Sequence, residues 1–135
     1  MNDCLFCKIA RKEIPAAVVY EDESVLAFLD RSPVHPGHVL VIAKAHSDDF
    51  ASMDPVDAQA VIDTCQRLVR ALLELGYDGA NVITNIKPAG HQVIFHTHFH
   101  VIPRKTGDGL KTWPQQPYAD GDMDDWRKKL VSVFV

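Results

Sequence analysis

This sequence of 135 residues has no long apolar run, no excess of basic residues and no even set of cysteines. No apolar run approaches the about 20 residues that a helix needs to cross a membrane, so we expect no membrane partner. The 14 lysines and arginines are outnumbered by 18 aspartates and glutamates, giving a net charge of -4 with neutral histidines. Without a basic stripe, DNA and RNA are unexpected partners, whereas a small anion bound by imidazoles and local dipoles fits the charge.

The cysteine count and the N-terminus favour a reducing compartment. Three cysteines are an odd number and suggest no disulfide framework. The first residues, Met1 to Cys4, are polar and lack the apolar core of a signal peptide, so we expect a cytoplasmic protein. With 47% hydrophobic and 24% charged residues, the chain has the composition of one soluble globular domain spanning residues 1–135.

Apolar alternation predicts the strands of an α+β domain. Turn residues bound alternating segments at 18–21, 25–30, 38–43 and 80–86, and a fifth around 93–102. Within the second segment Leu26, Phe28 and Asp30 should share a face, and within the third His38, Leu40 and Ile42 should do so. Short links between successive strands favour a mostly antiparallel sheet.

Helical spacing and capping residues predict one long helix and two short ones. The long helix begins after the N-cap Asp54 and ends at Gly76, a left-handed cap. Its apolar stripe consists of Val61, Cys65, Leu68, Leu72 and Leu75. We interpret Cys65 as a buried core thiol. Short helices are predicted at residues 5–11 and after a cap at Asp122, the latter with Trp126, Leu130 and Val133 on its apolar side.

Three histidines alternate within the fifth predicted strand. His96, His98 and His100 are separated by Thr97 and Phe99 and flanked by β-branched and aromatic residues. Alternate side chains of a strand share a face, so the three imidazoles should lie on one side and the apolar side chains in the core. Imidazoles carry donors and acceptors that need partners, which makes this row a poor choice for stability alone. The pattern therefore favours a metal site, a histidine nucleophile with helpers, or both.

Several chemistries are open at this point. Cys4 and Cys7 form a Cys-x-x-Cys pair, which with two histidines would complete a closed structural zinc site, although spacing does not identify those histidines. Alternatively, a neutral imidazole in the right tautomer can attack phosphorus or an acyl carbon, with Gly90 allowing backbone amides to approach an anion. In a third interpretation the three strand histidines hold an open catalytic zinc ion.

The histidine strand and a series of other motifs resemble one known family. Residues His96 to Ile102 match the histidine-triad pattern, in which histidines alternate with apolar residues. Further matches occur in order from Cys4 to about Trp113: Cys4-Leu5-Phe6-Cys7-Lys8-Ile9, Glu13-Ile14-Pro15, Tyr20-Glu21-Asp22-Glu23, Ala27-Phe28-Leu29-Asp30, Pro36-Gly37-His38-Val39-Leu40-Val41-Ile42, Lys44-Ala45-His46, Asn85 and Ile102-Pro103-Arg104. Together they resemble the histidine triad (HIT) superfamily, and within it the Hint-like nucleotide-binding proteins of the bacterial Cys-x-x-Cys form.

The resemblance implies a fold, a metal and an activity. The fold would be a five-stranded antiparallel sheet with one long helix, joined to a second copy in a homodimer. A structural zinc ion would be held by Cys4, Cys7, His46 and His96. The activity would be hydrolysis at the α-phosphate of nucleoside phosphoramidates or dinucleoside polyphosphates, releasing a nucleoside monophosphate. The alternative is an AMP- or purine-nucleotide-binding regulator whose turnover is incidental.

The resemblance also implies roles for individual residues. His98 would be the nucleophile that carries the nucleotide, with His100 and His38 as its catalytic helpers. The purine nucleotide would be bound by Phe6, Ile9, Phe28, Asp30, Asn85, Gln92, Val93, His98, His100 and Trp113. The sequence departs from the family pattern before the triad, where His91 stands in place of a glycine and Val93 offers no hydroxyl. His91 would be either an exposed loop residue, the interpretation we favour, or an extra contact to the substrate, and the departure leaves the leaving-group preference open.

Overall fold

A computed structural model of the chain describes residues 3–134. It contains five strands and three helices: β1 Val18–Glu21, β2 Val25–Leu29, β3 Val39–Ala43, β4 Gly79–Thr84 and β5 His98–Arg104, with α1 Leu5–Ala10, α2 Pro55–Glu74 and α3 Asp122–Val133. The strands form one sheet in the order β1-β2-β3-β5-β4, and every neighbouring pair is antiparallel. The predicted α+β fold with a five-stranded antiparallel sheet is confirmed.

The register of the sheet separates two apolar layers. Along β3 and β5, Leu40 pairs with His100 and Ile42 pairs with His98, so these side chains share one face. The apolar layer on that face consists of Phe6, Ile9, Leu26, Phe28, Leu40 and Ile42. The opposite face, which includes Phe99, packs with α2 in the main core. The predicted shared faces of Leu26 with Phe28, of Leu40 with Ile42 and of His98 with His100 are therefore confirmed.

The long helix α2 follows its sequence signals closely. The Asp54 side chain accepts a hydrogen bond from the backbone of Val56 at 2.8 Å, and Gly76 has φ +97°, as a left-handed cap requires. Cys65 is buried, and burial raises the pKa of its thiol to about 12, so it is a neutral core group. Leu75 was placed on the apolar stripe wrongly, because the helix ends at Glu74 and the Leu75 side chain is 79% exposed.

The histidine strand is shorter than predicted. β5 begins at His98, and residues 93–97 are irregular, with Val93 and Phe95 exposed. The Thr97 amide donates to the carbonyl of Ser47 at 2.8 Å instead of joining a strand ladder. His96 therefore precedes the strand, and its side chain is not part of the alternation that places His98 and His100 on one face.

The C-terminal helix also differs from its prediction. Its N-cap is Gly121, with φ +82°, and Asp122 is the first helical residue. The predicted apolar side is exposed: Trp126 51%, Leu130 57% and Val133 72%. The amphipathic pattern therefore identified the helix correctly but not a core contact within this chain. Between residues 3 and 134, every helix is too short or too polar to span a bilayer.

Candidate active site and metal centre

Four side chains from distant parts of the chain converge at the start of α1. The ligand atoms of Cys4, Cys7, His46 and His96 all lie within 4.8 Å of one another. The Nδ1 atom of His96 lies 3.4 Å from Cys4 Sγ and 3.5 Å from Cys7 Sγ. The Nδ1 atom of His46 lies 3.4 Å from Cys7 Sγ and 3.2 Å from His96 Nδ1. Two thiols and two imidazole nitrogens thus face one point.

These separations test whether the cluster fits zinc. Tetrahedral zinc binds sulfur at about 2.3 Å and nitrogen at about 2.0 Å, which places neighbouring sulfur and nitrogen ligands about 3.5 Å apart and two nitrogens about 3.3 Å apart. The three sulfur–nitrogen distances, 3.4, 3.4 and 3.5 Å, and the nitrogen–nitrogen distance of 3.2 Å match those edges. The donor set and its geometry fit a closed structural zinc site, which is compatible with the zinc that the sequence led us to expect.

The outer nitrogens of both histidines are held by acceptors. His96 Nε2 donates to the carbonyl of Ala43 at 2.8 Å, and His46 Nε2 lies 2.9 Å from Asp48 Oδ1. Such partners fix the proton on Nε2 and leave a lone pair on each Nδ1, which is the state that a metal ligand needs. Burial and the adjacent Cys4 thiol raise the pKa of Cys7, so in the absence of a cation this thiol would keep its proton.

His98 is held in the opposite way, with its Nδ1 atom occupied. Nδ1 lies 2.8 Å from the backbone carbonyl of His96, which can only accept, so Nδ1 carries the proton. The Nε2 atom is therefore left with its lone pair. The ring is 8% exposed and packs edge to face against Phe6, with centroids 5.0 Å apart. A fixed neutral imidazole with a free lone pair is the form that acts as a nucleophile.

His38 determines the tautomer of His100. The backbone amide of Val34 donates to His38 Nδ1 at 3.1 Å, so the proton of this ring is on Nε2. Nε2 in turn lies 2.9 Å from His100 Nδ1 and 3.6 Å from a carboxylate oxygen of Asp30. His100 accepts at Nδ1 and consequently presents an N–H at Nε2. The chain of hydrogen bonds thus leaves a donor on the His100 ring, whose centroid lies 5.1 Å from that of His98.

Burial keeps these three imidazoles neutral at physiological pH. It lowers the pKa of His38 and of His98, although the Asp30 carboxylate opposes the shift in both. Burial lowers the pKa of His100 to about 4, and the neighbouring His98 and His38 rings add to that shift. Because neutral imidazole is the nucleophilic form, the low pKa of His98 favours attack rather than acid chemistry.

A pocket of about 940 Å³ opens beside His98 and His100. Its apolar wall comes from α1, the following loop and the strands β2 and β3, and it includes Phe6, Ile9, Ile14, Phe28 and Leu40. Its polar groups come from the end of β2, the loop after β4 and strand β5, namely Asp30, Arg31, Asn85, His91, His98 and His100. An apolar wall with a few convergent polar groups is typical of a small-molecule site.

Two residues assigned to the nucleotide lie outside this pocket. Gln92 is buried and holds its own loop, accepting from the Lys87 amide at 2.7 Å and donating to the carbonyls of Asp48 and Ile94. Trp113 is 68% exposed and lines a separate groove over β4 and β5. His91 is an exposed loop residue, as expected, and it also lines the pocket. The departure at Gly90-His91-Gln92 was the only sequence signal for it.

The histidine triad is divided between the two clusters. His96 belongs to the cysteine cluster, whereas His98 and His100 adjoin the pocket. Among residues 3–134, the three rings do not converge on one point, so the open catalytic zinc site built from all three receives no support. The second group that converges is Asp30, His38 and His100, and the hydrogen bond between the two rings accounts for it.

Comparison with known proteins agrees with this fold and identifies the family. The family model described as the HIT domain matches residues 11–107, and the chain belongs to this family. It is 35% identical over 131 residues to an adenosine 5′-monophosphoramidase of Schizosaccharomyces pombe, covering 96% of each chain. It is 41% identical over 110 residues to an adenylylsulfatase of Arabidopsis thaliana, covering 81% of this chain and 56% of that one.

One similar protein has been solved with zinc bound. The crystal structure of a zinc-bound histidine triad family protein from Mycobacterium smegmatis is 36% identical in sequence and matches with a TM-score of 0.78. The match covers 98% of this chain and 96% of that one. The superfamily resemblance drawn from the motifs is confirmed.

Proposed function

We propose that this chain is a hydrolase that cleaves AMP-type nucleotides at the α-phosphate through a covalent intermediate on His98. The observation that carries the proposal is the tautomer of this ring. Its Nδ1–H is held 2.8 Å from the His96 carbonyl, which leaves the Nε2 lone pair as the free nucleophile. The phosphoramidase and adenylylsulfatase activities named for two relatives are reactions of this class.

The reaction would proceed in two displacements at phosphorus. First the Nε2 lone pair of His98 forms a bond to the α-phosphorus while the bond from phosphorus to the leaving group breaks. Then a water oxygen attacks the same phosphorus, the N–P bond breaks, and AMP leaves with His98 restored. An amine leaving group takes a proton from solvent as it departs in the first displacement, and the attacking water returns a proton to solvent in the second, so the net reaction is hydrolysis. The Nε2–H of His100 would donate to a phosphate oxygen or to the leaving atom.

The lining of the pocket suits a nucleoside monophosphate. Phe6 and Phe28, whose rings are 5.5 Å apart, would enclose a purine base together with Ile9. Asp30 would accept from the ribose hydroxyls: its Oδ1 accepts from the Ser32 amide at 2.8 Å, and its Oδ2, 3.6 Å from His38 Nε2, makes no hydrogen bond to residues 3–134. Asn85 and the backbone amide of Val93 would hold the phosphate. Gln92 and Trp113 are left out of this assignment because neither lines the pocket.

Zinc would have a structural role. Held by Cys4, Cys7, His46 and His96, it would supply a crosslink between α1 and the sheet and no chemistry to the substrate. Because α1 contributes Phe6 and Ile9 to the pocket, loosening this helix would weaken nucleotide binding indirectly. The homodimer and the cytoplasmic location inferred from the sequence stay predictions.

The test is to trap the intermediate. We would measure AMP release from adenosine 5′-phosphoramidate, quench during turnover, and look by mass spectrometry for a nucleotidyl adduct on the peptide that contains His98. The proposal requires an adduct on this residue that disappears in His98→Ala. An adduct elsewhere, or turnover in His98→Ala at the wild-type rate, would refute it. Tight AMP binding without turnover would favour the regulatory alternative.

A further inference from the structure

The loop between β4 and β5 has an unusual backbone on the side of the pocket. Three described residues other than glycine have positive φ, and two of them, Lys87 (φ +62°) and His91 (φ +66°), bound the same short turn, Pro88–Gly90. His91 has left-handed helical angles, φ +66° and ψ +27°. A side chain disfavours this conformation, and such strain concentrates at functional sites.

The residue before His91 is a glycine, Gly90, but the left-handed conformation falls on His91. Gly90 does not have positive φ, and a Cβ there would meet nothing closer than 4.0 Å, so neither conformation nor space requires glycine. His91, which adopts the conformation that glycine favours, carries a side chain instead. The arrangement is the reverse of what backbone stability would select, which indicates that the imidazole itself has a use.

The conformation of this loop is fixed by hydrogen bonds rather than by the imidazole. The His91 amide donates to the Pro88 carbonyl at 2.9 Å, and the Gln92 amide donates to the Lys87 carbonyl at 3.1 Å. The buried Gln92 side chain accepts from the Lys87 amide at 2.7 Å, which closes the turn from inside. Replacing the His91 side chain should therefore leave the loop in place.

The imidazole of His91 is free to meet a ligand. It lines the pocket with Asn85, His98 and His100, and among residues 3–134 its ring makes no hydrogen bond. Residues 85–94 contain no carboxylate, so groups on this side of the pocket offer donors to an anion and no repulsion. The acid that does line the pocket, Asp30, belongs to the end of β2.

We infer that His91 is a specificity residue for the leaving group and favours an oxyanion, such as sulfate or a phosphate chain, over ammonia. This inference rests on the proposed function, since it assigns the part of the substrate beyond the attacked phosphorus. The ring N–H would donate to an oxygen of the departing anion, which carries growing negative charge as its bond to phosphorus breaks. Ammonia offers no such oxygen and would gain nothing from His91.

The experiment compares three substrates in four proteins. Wild type, His91→Gly, His91→Asn and Lys12→Gly would be assayed with adenosine 5′-phosphosulfate, diadenosine tetraphosphate and adenosine 5′-phosphoramidate. In His91→Gly we expect kcat/KM to fall about tenfold for the two substrates with anionic leaving groups. The value for the phosphoramidate should stay within about twofold. Asparagine also tolerates the left-handed conformation, so His91→Asn provides the same test if His91→Gly does not fold.

Lys12 provides the matched control for the backbone. It also has positive φ, +64°, but does not line the active-site pocket. Relief of the same strain should raise the melting temperature of His91→Gly and Lys12→Gly by a few degrees. Only His91→Gly should also change the ratio of kcat/KM values between substrates. More stable protein with altered selectivity is an outcome that a purely structural His91 could not give.

The outcomes separate this inference from the proposed function. If wild type hydrolyses the substrates and His91→Gly leaves their kcat/KM ratios unchanged, the inference is wrong and the proposed function stands. An equal loss on all three substrates would likewise overturn it, because His91 would then act on the nucleotide itself. A response to the phosphosulfate alone would restrict the leaving group to sulfate. If wild type hydrolyses none of them, both proposals fail together.

Discussion

His96 and His98 are two residues apart, yet they belong to different clusters. His96 is fully buried and turns its Nδ1 atom toward two thiols, while its Nε2 atom donates to the Ala43 carbonyl. His98 donates from Nδ1 to a carbonyl and turns Nε2 toward the pocket side. In both rings a backbone carbonyl occupies one nitrogen and thereby selects the other for chemistry. The choice of occupied nitrogen separates the proposed metal ligand from the proposed nucleophile.

The two clusters also differ in what their loss should affect. The cysteine cluster joins α1 to segments 39 to 92 residues away, so its contribution is to the fold. The His98 cluster lies on strands that the sheet already holds, and its contribution is to the reaction. Variants of one cluster should therefore lose stability, and variants of the other should lose rate.

The largest effect is expected from His98→Ala. Removing the nucleophile should lower kcat/KM for adenosine 5′-phosphoramidate by about three powers of ten or more, since the first displacement depends on the Nε2 lone pair of His98. Zinc content, measured by elemental analysis, should not change. A large loss of zinc in this variant would show that the two clusters are not independent.

The reciprocal variant is Cys7→Ser. Loss of a thiolate ligand should abolish stoichiometric zinc and lower the melting temperature by more than about 10 °C, because binding to the folded state alone stabilises it. Cys65→Ala is the matched control: its thiol lies in the main core, so it should cost about 1 kcal/mol and keep the zinc. If Cys7→Ser had the same melting temperature as wild type, the metal would have no structural role.

Variants of His38 would distinguish a residue that orients another ring from one that contacts the substrate. It does not line the pocket but fixes the His100 ring through a contact of 2.9 Å. His38→Ala should lower kcat by about 10- to 100-fold with little change in KM, as expected for a residue that orients another. His38→Gln, which retains an N–H donor, should recover part of the rate. An unchanged kcat in His38→Ala would mean that the His100 tautomer is set elsewhere.

The sequence predicted those structural features that depend on residues close together along the chain. Asp54, Pro55 and Gly76 define α2 because capping and left-handed conformation are properties of the residues themselves. Alternation likewise defined the shared face of His98 and His100. The proposed zinc ligands required the family resemblance, since Cys4 and His96 are 92 residues apart and spacing alone left the choice of histidines open.

Other features depend on contacts that no local pattern encodes. The start of β5 at His98 is set by the bond from Thr97 to Ser47, and Gln92 turns inward because Lys87, Asp48 and Ile94 satisfy its amide. His35, to which no role was assigned, lies 3.2 Å from Asp108. That carboxylate is paired mainly with Arg104, which holds its pKa far below the usual range. These contacts form only in the folded chain, so local sequence patterns do not predict them.

Titration should reveal the burial of His100. Its pKa of about 4, next to His98, His38 and Asp30, lies below the about 6.5 of an unfolded histidine. Between these values the unfolded chain binds a proton that the folded chain does not, so stability is full above pH 6.5 and falls as pH decreases toward 4. Against His100→Gln, wild type should lose about 1 kcal/mol more per pH unit in denaturant unfolding. Parallel curves for the two proteins would contradict this burial.

The smallest effect is expected from Asp48, which contacts His46 on the side away from the two cysteines. Asp48 accepts from His46 Nε2 at 2.9 Å, but its side chain is 77% exposed, so water can replace it. Asp48→Ala should weaken zinc binding by about tenfold or less in competition with a chelator, without a change in kcat. The equivalent contact of His96 is a buried backbone carbonyl, which no substitution removes. If Asp48→Ala weakened zinc binding as much as Cys7→Ser, the exposed carboxylate would itself be a ligand, and the assignment of His46 would have to change.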